Sequence, residues 1–322
     1  MITPPCDSPP APLALRIAVT PACDLQCIYC TPPSTACCSH PHDPISLDEL
    51  LWFVHTAQLF FPVEKVHLTG GEPLLRHGLP ALLHALAASA VPDIALTTNG
   101  QRLAPLANTL ANAGLRRINI SLDSLRPDVY ARITRGAQLQ PVLDGIAAAQ
   151  AAGLAVKLNM VVLRGWNDDE LPALARFALD HGCDVRFLEL MPIGCARRLF
   201  HTAYVPAPLI AAALSAHFSL SPLTPRPACH QRFLLSNGCR ATCTAGIIAS
   251  VSQPFCPACR RLRLTANGAL LGCLARPHSL DILPLLRSRN AHALHHALAA
   301  ALQLKRHDSS FDQPVSMVSI GG

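Results

Sequence analysis

Three cysteines stand close together as Cys23-x-x-x-Cys27-x-x-Cys30. A structural zinc site takes four ligands, usually as two pairs. Three neighbouring Cys with no fourth at matching spacing suit a 4Fe–4S cluster with one iron left open. A zinc site completed by Cys37, Cys38 or His40 is the alternative; otherwise Cys37 and Cys38 read as spare thiols. Far downstream, Cys256-x-x-Cys259 and Cys273 make a second three-thiol set, and Arg260-Arg261-Leu262-Arg263-Leu264-Thr265 lies inside it. Guanidinium groups pair with phosphate through two parallel hydrogen bonds, so arginines here are candidates to grip an anion. The other cysteines, Cys6, Cys183, Cys195, Cys229, Cys239 and Cys243, are scattered.

These residues belong to a chain of 322 residues, long enough for one large domain or two ordinary ones. Half of it is apolar and only 14% is charged, which excludes a disordered chain. The formal charge is +6, and all basic residues but Lys65, Lys157 and Lys305 are Arg. No polybasic segment with interleaved aromatics occurs, so nucleic-acid binding is not expected. No apolar run reaches the roughly 18 residues of a membrane helix, and the Pro-rich start carries Asp7 rather than a basic region. A cytoplasmic protein without membrane contact is expected, and there fourteen cysteines point to ligation rather than disulfides.

Short apolar runs alternate with helical patterns. Strands are expected at Leu13–Val19, Val63–Leu68, Ile94–Thr98, Arg117–Leu122, Ala155–Leu163 and Asp184–Leu190. Ser46-Leu47-Asp48-Glu49 is a capping box that opens a helix to about Phe60. Helices also fit Leu79–Ser89, Leu103–Ala113, Leu139–Ala152 and Asp168–Asp180, the last three stopping near Gly114, Gly153 and Gly182. Such alternation demands a parallel sheet with right-handed crossovers, and six units suit a partial (β/α)6 barrel of the TIM type, with a doubly wound sheet as runner-up. In a barrel the loops after the strands carry the chemistry. The first Cys set, Thr69-Gly70-Gly71-Glu72-Pro73, Thr97-Thr98-Asn99-Gly100 and Ser121-Leu122-Asp123 all fall at or just past strand ends. Prolines between Pro222 and Pro227 mark a boundary. Residues 1–12 are therefore expected to be a flexible Pro-rich N-terminus, 13–220 the barrel, and 221–322 a C-terminal region with an Ala/His-rich helix at 291–304.

The first Cys set, with Tyr29 at its aromatic position, resembles the radical S-adenosylmethionine superfamily. Thr69-Gly70-Gly71-Glu72-Pro73-Leu74-Leu75-Arg76 is similar to that superfamily's glycine-rich loop, which holds the methionine end of the cofactor. Glycine permits close backbone approach, and a carboxylate such as Glu72 can meet an ammonium. The second Cys set with its arginines resembles the GTP 3′,8-cyclase family of molybdenum-cofactor biosynthesis. So do Gly246–Ser252, Arg164–Glu170, Arg186–Met191 and the Gly-Gly end, and the likeness runs over about residues 13–322.

The resemblance implies two 4Fe–4S clusters, on Cys23, Cys27 and Cys30 and on Cys256, Cys259 and Cys273. It implies S-adenosylmethionine contacts at Tyr29, Gly71, Glu72, Ser121 and Met191. GTP contacts fall on Arg16, Thr97, Lys157, Arg261 and Arg263, with His67 standing where the family usually has Arg. Strand-end hydrogen bonding is the bland account of Thr97 and Ser121, and core packing that of Met191 and His67. The catalytic group is Arg261 and Arg263 with Gly321 and Gly322, whose tail is expected to reach into the barrel mouth and position an Arg. The implied activity is a lyase reaction that converts GTP to (8S)-3′,8-cyclo-7,8-dihydroguanosine 5′-triphosphate. A one-electron donor of flavodoxin or ferredoxin type, a downstream cyclic pyranopterin monophosphate synthase and a homodimer complete the expectation. A radical enzyme acting on a peptide or another nucleotide, and a zinc-stabilised binding protein, are the rivals.

Overall fold

The computed structural model describes residues 12–32, 45–223, 231–236, 242–256, 259–305 and 310–321. Cys37, Cys38, His40 and Gly322 lie outside them, as does most of the expected N-terminal segment. The first half runs β1 (Leu13–Ala18), α1 (Leu47–Phe60), β2 (Val63–Thr69), α2 (Leu79–Ala88), β3 (Ile94–Thr98) and α3 (Ala107–Asn112). It continues as β4 (Arg117–Ser121), α4 (Pro127–Thr134), α5 (Gln140–Ala151), β5 (Ala155–Val162), α6 (Leu171–Asp180) and β6 (Asp184–Glu189). All six expected strands form within a residue or two of their expected bounds. The capping box is present: the Glu49 N–H donates to Ser46 Oγ at 3.1 Å, and the Ser46 N–H donates to Glu49 Oε2 at 2.7 Å. Gly114, Gly153 and Gly182 adopt φ of +100°, +76° and +63°, the left-handed turn that ends each helix before its strand.

The second half adds α7 (Ala196–Ala203), α8 (Ala207–Ser215), β7 (Ser219–Pro222), β8 (Gln231–Ser236), β9 (Thr242–Ile248), β10 (Arg261–Leu264), β11 (Ala269–Leu271) and β12 (Ser279–Asp281). Three helices follow: α9 (Leu283–Arg287), α10 (Ala291–Gln303) and α11 (Met317–Ile320). All twelve strands form one sheet, in the order β12-β11-β10-β1-β2-β3-β4-β5-β6-β9-β8-β7. β10 joins β1 and β9 joins β6, both in parallel, so the expected six-stranded parallel run is extended at each side. Antiparallel hairpins finish the two edges, which do not pair with one another, and the barrel stays open. The expected boundary at 220/221 therefore falls inside β7, and the C-terminal region shares the barrel's sheet.

Strand side chains alternate between two faces. Leu15, Ile17, Val66, Leu68, Leu96, Ile118, Ile120, Leu158, Val185 and Phe187 are buried toward the helices. The alternate positions are polar and cationic: Arg16, Lys65, His67, Thr97, Asn119, Lys157, Arg186, Arg261 and Arg263. The helix-facing layer supplies the core, while the interior face is left for binding.

Candidate active site

The first Cys set sits on the loop after β1. Its backbone is pinned to the end of α4, with the Ile28 N–H donating to the Ile133 carbonyl at 2.9 Å. The glycine-rich loop after β2 lies against it, with the Gly71 N–H donating to the Thr20 carbonyl at 2.8 Å and the Glu72 N–H to the Ala22 carbonyl at 2.7 Å. A Cβ on Gly71 would lie 2.2 Å from the Ala22 carbonyl oxygen. Glycine at this position is therefore required by the neighbouring backbone itself, a demand that adds to the expected approach of a ligand.

Cys23, Cys27 and Cys30 line a cavity of about 200 Å³ together with Tyr29, Gly71, Glu72, Thr97, Ser121, Asp123, Asn159 and Met191. Glu72 is buried. Its Oε1 accepts from the Leu74 N–H at 2.9 Å and Thr98 Oγ1 at 2.7 Å, and its Oε2 accepts from the Asn99 N–H at 2.7 Å. It thus ties the glycine loop to the end of β3, and burial pushes its carboxyl up to about 7. Tyr29 donates to Asp123 Oδ2 at 2.6 Å, and Asp123 Oδ1 accepts from the Val161 N–H at 2.9 Å. Asp123 is missing from the sequence-based site, although it ends a strand-end motif. Burial raises the thiols of Cys23 to about 11 and Cys30 to about 12, and raises Cys27 as well. They are protonated in the bare protein, and metal binding would displace those protons.

The donor chemistry fits the implied groups. Among the described residues no three Cys, His, Asp or Glu side chains converge on one point as a single ion would need. A cluster instead takes each thiolate on a separate iron, and three thiols spread over one cavity wall match that demand. The buried Oδ1 of Asn159 has no hydrogen-bond partner among the described residues and lines the same cavity, an acceptor waiting for a ligand's donor.

A second cavity, of about 190 Å³, is lined by Cys256, Cys259 and Cys273 with Arg16, Arg261, Arg263 and Lys305. Burial alone would raise the Cys259 thiol, but Lys305, the Arg261 backbone and the charges of Arg261 and Arg263 outweigh it and lower the thiol. Lys305 Nζ lies 3.8 Å from Cys259 Sγ and donates to the Arg261 carbonyl. Lys305 has no sequence motif to announce it, since it simply follows α10. Arg16, Leu188, Met191 and Met317 line both cavities, so the two thiol sets face one continuous interior.

The tail closes this interior. Gly321 takes φ +72°, and a Cβ there would lie 3.0 Å from Ala18 Cβ. Its carbonyl accepts from Arg263 Nη1 at 2.9 Å in a buried contact. Gly321 thus contacts a buried arginine of β10. Burial first, then Arg261, depresses Arg263 to about 10, and burial with Arg263 and Arg261 lowers Arg16.

Farther down the strands, Lys157 pairs with Asp184 at 2.8 Å. His67 Nε2 is 2.6 Å from Thr97 Oγ1 and 3.1 Å from Asn119 Nδ2. Burial and the charges of Arg16, Lys65, Arg117 and Arg186 hold His67 well below its ordinary pKa. Both effects disfavour a protonated His67, whose ring lies within hydrogen-bond reach of Thr97 on β3 and Asn119 on β4, in line with the core-packing account. Lys65 and Arg186, also absent from the sequence-based site, face the same interior and were findable as alternate strand positions.

Residues 17–178 match the Radical SAM superfamily, and residues 183–311 match Molybdenum Cofactor Synthesis C. The GTP 3′,8-cyclase of Pelotomaculum thermopropionicum is 44% identical over 283 residues, covering 85% of this chain and 84% of that protein. The GTP 3′,8-cyclase of Moorella thermoacetica is 41% identical over 319 residues, covering 96% of this chain and 97% of that protein. The chain belongs to the GTP 3′,8-cyclase family. Among solved structures, SuiB of Streptococcus suis bound to S-adenosylmethionine superposes with a TM-score of 0.59 at 16% identity. That match covers 88% of this chain and 65% of SuiB, and it shows the shared radical SAM fold. Membership of the cyclase family carries with it S-adenosylmethionine and a 4Fe–4S cluster. Among the described residues no helix is long and apolar enough to cross a membrane.

Proposed function

We propose that this chain converts GTP to (8S)-3′,8-cyclo-7,8-dihydroguanosine 5′-triphosphate. The observation that carries the reading is the pair of three-thiol cavities that share Arg16, with Arg261 and Arg263 lining the second and the Gly321 carbonyl bonded to Arg263. Cys23, Cys27 and Cys30 hold the first cluster, and Cys256, Cys259 and Cys273 hold the second. When bound, the first cluster would supply one-electron reducing chemistry to S-adenosylmethionine, and that cofactor would supply the hydrogen-abstracting chemistry that lets the ribose 3′ carbon join guanine C8.

The chain's own residues bind, orient and exclude water. Gly71 and Glu72 shape the rim on which the methionine end rests, and Ser121, Asn159 and Met191 border the cofactor's remaining surface. Tyr29 is fixed by Asp123, so the aromatic ring between Cys27 and Cys30 keeps one position. Arg16, Lys157, Arg261 and Arg263 offer cations to the triphosphate, and Thr97 with neutral His67 offers uncharged hydrogen bonds. A guanidinium already desolvated in the free protein needs little reorganisation when phosphate arrives, which is where preorganised charge is most effective. The tail shields the interior, as a reactive radical requires. The product leaves for the class of enzyme that makes cyclic pyranopterin monophosphate. Anaerobic incubation of the cluster-loaded protein with S-adenosylmethionine, dithionite and GTP should yield the cyclised nucleotide. Cofactor cleavage with every GTP molecule recovered intact would refute the reading.

A further inference from the structure

The first Cys loop has an outer side as well as a cavity side. Ile28 and Tyr29 pack in one apolar cluster with Val129 and Ile133 of α4, Trp166, and Leu199 and Phe200 of α7. The loop and both helices are therefore one packed unit.

Exposed arginines decorate this packed unit: Arg132 and Arg135 at the end of α4, Arg164 before α6, and Arg197 and Arg198 in α7. Arg135 Nη1 donates to the carbonyl of Thr31, the residue after Cys30, at 3.0 Å. Arg132 lies over the Trp166 ring, 4.8 Å from its centroid. The charges of Arg135 and Arg198 both reach the thiol of Cys195, which is itself 3.9 Å from the Ile28 carbonyl. Arg164 and Arg197 donate only to backbone carbonyls. Among the described residues none of the five is paired with a carboxylate. The nearby acids are otherwise engaged: Asp24 by Arg102 and Asn99, and Asp169 by Arg126. Asp168, four residues after Arg164, accepts from the Gly165 N–H at 2.7 Å, and Asp128 is exposed in the first turn of α4, four residues before Arg132.

Five uncompensated arginines spread over two helices and a loop are too dispersed for a small anion, and they lie outside the interior where substrate binds. They match an acidic protein surface, and complementary charge mainly sets encounter rate and specificity. We propose that this arginine face docks the electron donor, a small acidic carrier protein of flavin or iron–sulfur type. One electron leaves the reduced carrier and one enters the first cluster across the Cys27–Cys30 loop, with no bond or proton change in the transfer. The inference rests on the radical reading of the site and names its partner.

The test uses the cluster-loaded full chain, a flavodoxin as the acidic carrier, and the double variant Arg132→Glu with Arg198→Glu. Arg287→Glu with Arg289→Glu, on the exposed α9 side, is the control. Carrier affinity at low ionic strength should fall at least about ten-fold in the first variant only, through a slower encounter rate, which electrostatic steering raises roughly 10- to 1,000-fold. The salt dependence of binding should flatten, and flavodoxin-driven cluster reduction should slow with it. Dithionite-driven product formation should be unchanged. Unaltered carrier affinity and salt dependence in the variant would overturn the proposal, as would loss of binding to a nucleic acid with carrier binding intact. Failure of the wild type to cyclise GTP even with dithionite would sink the functional reading instead, and carrier binding would still report on the surface.

Discussion

Removing Gly321 and Gly322 tests the tail where it touches the chemistry. The Gly321 carbonyl accepts from buried Arg263 Nη1 at 2.9 Å. A hydrogen bond to a charged group contributes about 1.5–3 kcal/mol. If that whole energy holds the guanidinium in its productive position, its loss amounts to about 10- to 150-fold, at about 1.4 kcal/mol per decade. The two residues follow the last turn of α11, whose Val318 and Ile320 remain to anchor the truncated end. Folding and iron content should therefore stay close to wild type. The assay is an anaerobic single turnover that counts 5′-deoxyadenosine and cyclised nucleotide separately. Cyclised product should fall by at least the lower figure while cofactor cleavage persists. Full product formation by the truncated protein would show that the Arg263 contact is incidental to turnover.

Further outcomes follow from the two cavities and the interior. Cys27→Ser should abolish cofactor cleavage, whereas Cys259→Ser should retain cleavage and lose cyclisation; a Cys259 variant that cyclises GTP at the wild-type rate would contradict the division. Arg261→Ala should weaken GTP about ten-fold or more, on the scale of one charged hydrogen bond, and weaken guanosine less; equal losses in a titration would show that Arg261 does not meet phosphate. His67 is held below its ordinary pKa of about 6.5, so the unfolded chain binds the extra proton and His67 lowers stability as pH falls below that value. Chemical denaturation of His67→Gln should show a shallower loss of stability between about pH 7 and 5 than wild type, and GTP affinity should be flat between pH 6 and 8 as far as His67 is concerned; a wild-type affinity that falls over that range and is restored by His67→Arg would show a protonated role.

The barrel was legible because its strands are apolar runs separated by capped helices, and the left-handed Gly114, Gly153 and Gly182 mark where each helix ends. β9 and β10 were not, because each depends on distant pairing. β10 is four residues long and gains its place only by lying beside β1, in register from Ala14 with Arg261 to Ile17 with Leu264. α4 was missed because it is short and starts with Pro127 behind a polar turn. The thiol sets stood out by their spacing, and the glycine loop by its resemblance to the superfamily's loop and its place after β2. Asp123, Lys65 and Arg186 stood at readable strand positions and Lys305 did not, but the weight of all four comes from facing one interior. His67 shows the same limit: its position was visible, but its lowered pKa follows from burial and four surrounding cations, and its partners Thr97 and Asn119 stand on adjacent strands.

The central claim is that this interior brings the cofactor's 5′ carbon to the ribose 3′ carbon of GTP. The direct measurement is anaerobic turnover of the cluster-loaded chain with GTP carrying deuterium at C3′, followed by mass analysis of both products. The account predicts deuterium in 5′-deoxyadenosine and its absence from C3′ of a cyclised nucleotide formed in equal amount. Unlabelled 5′-deoxyadenosine, or GTP returned with its deuterium in place while the cofactor is consumed, would contradict it.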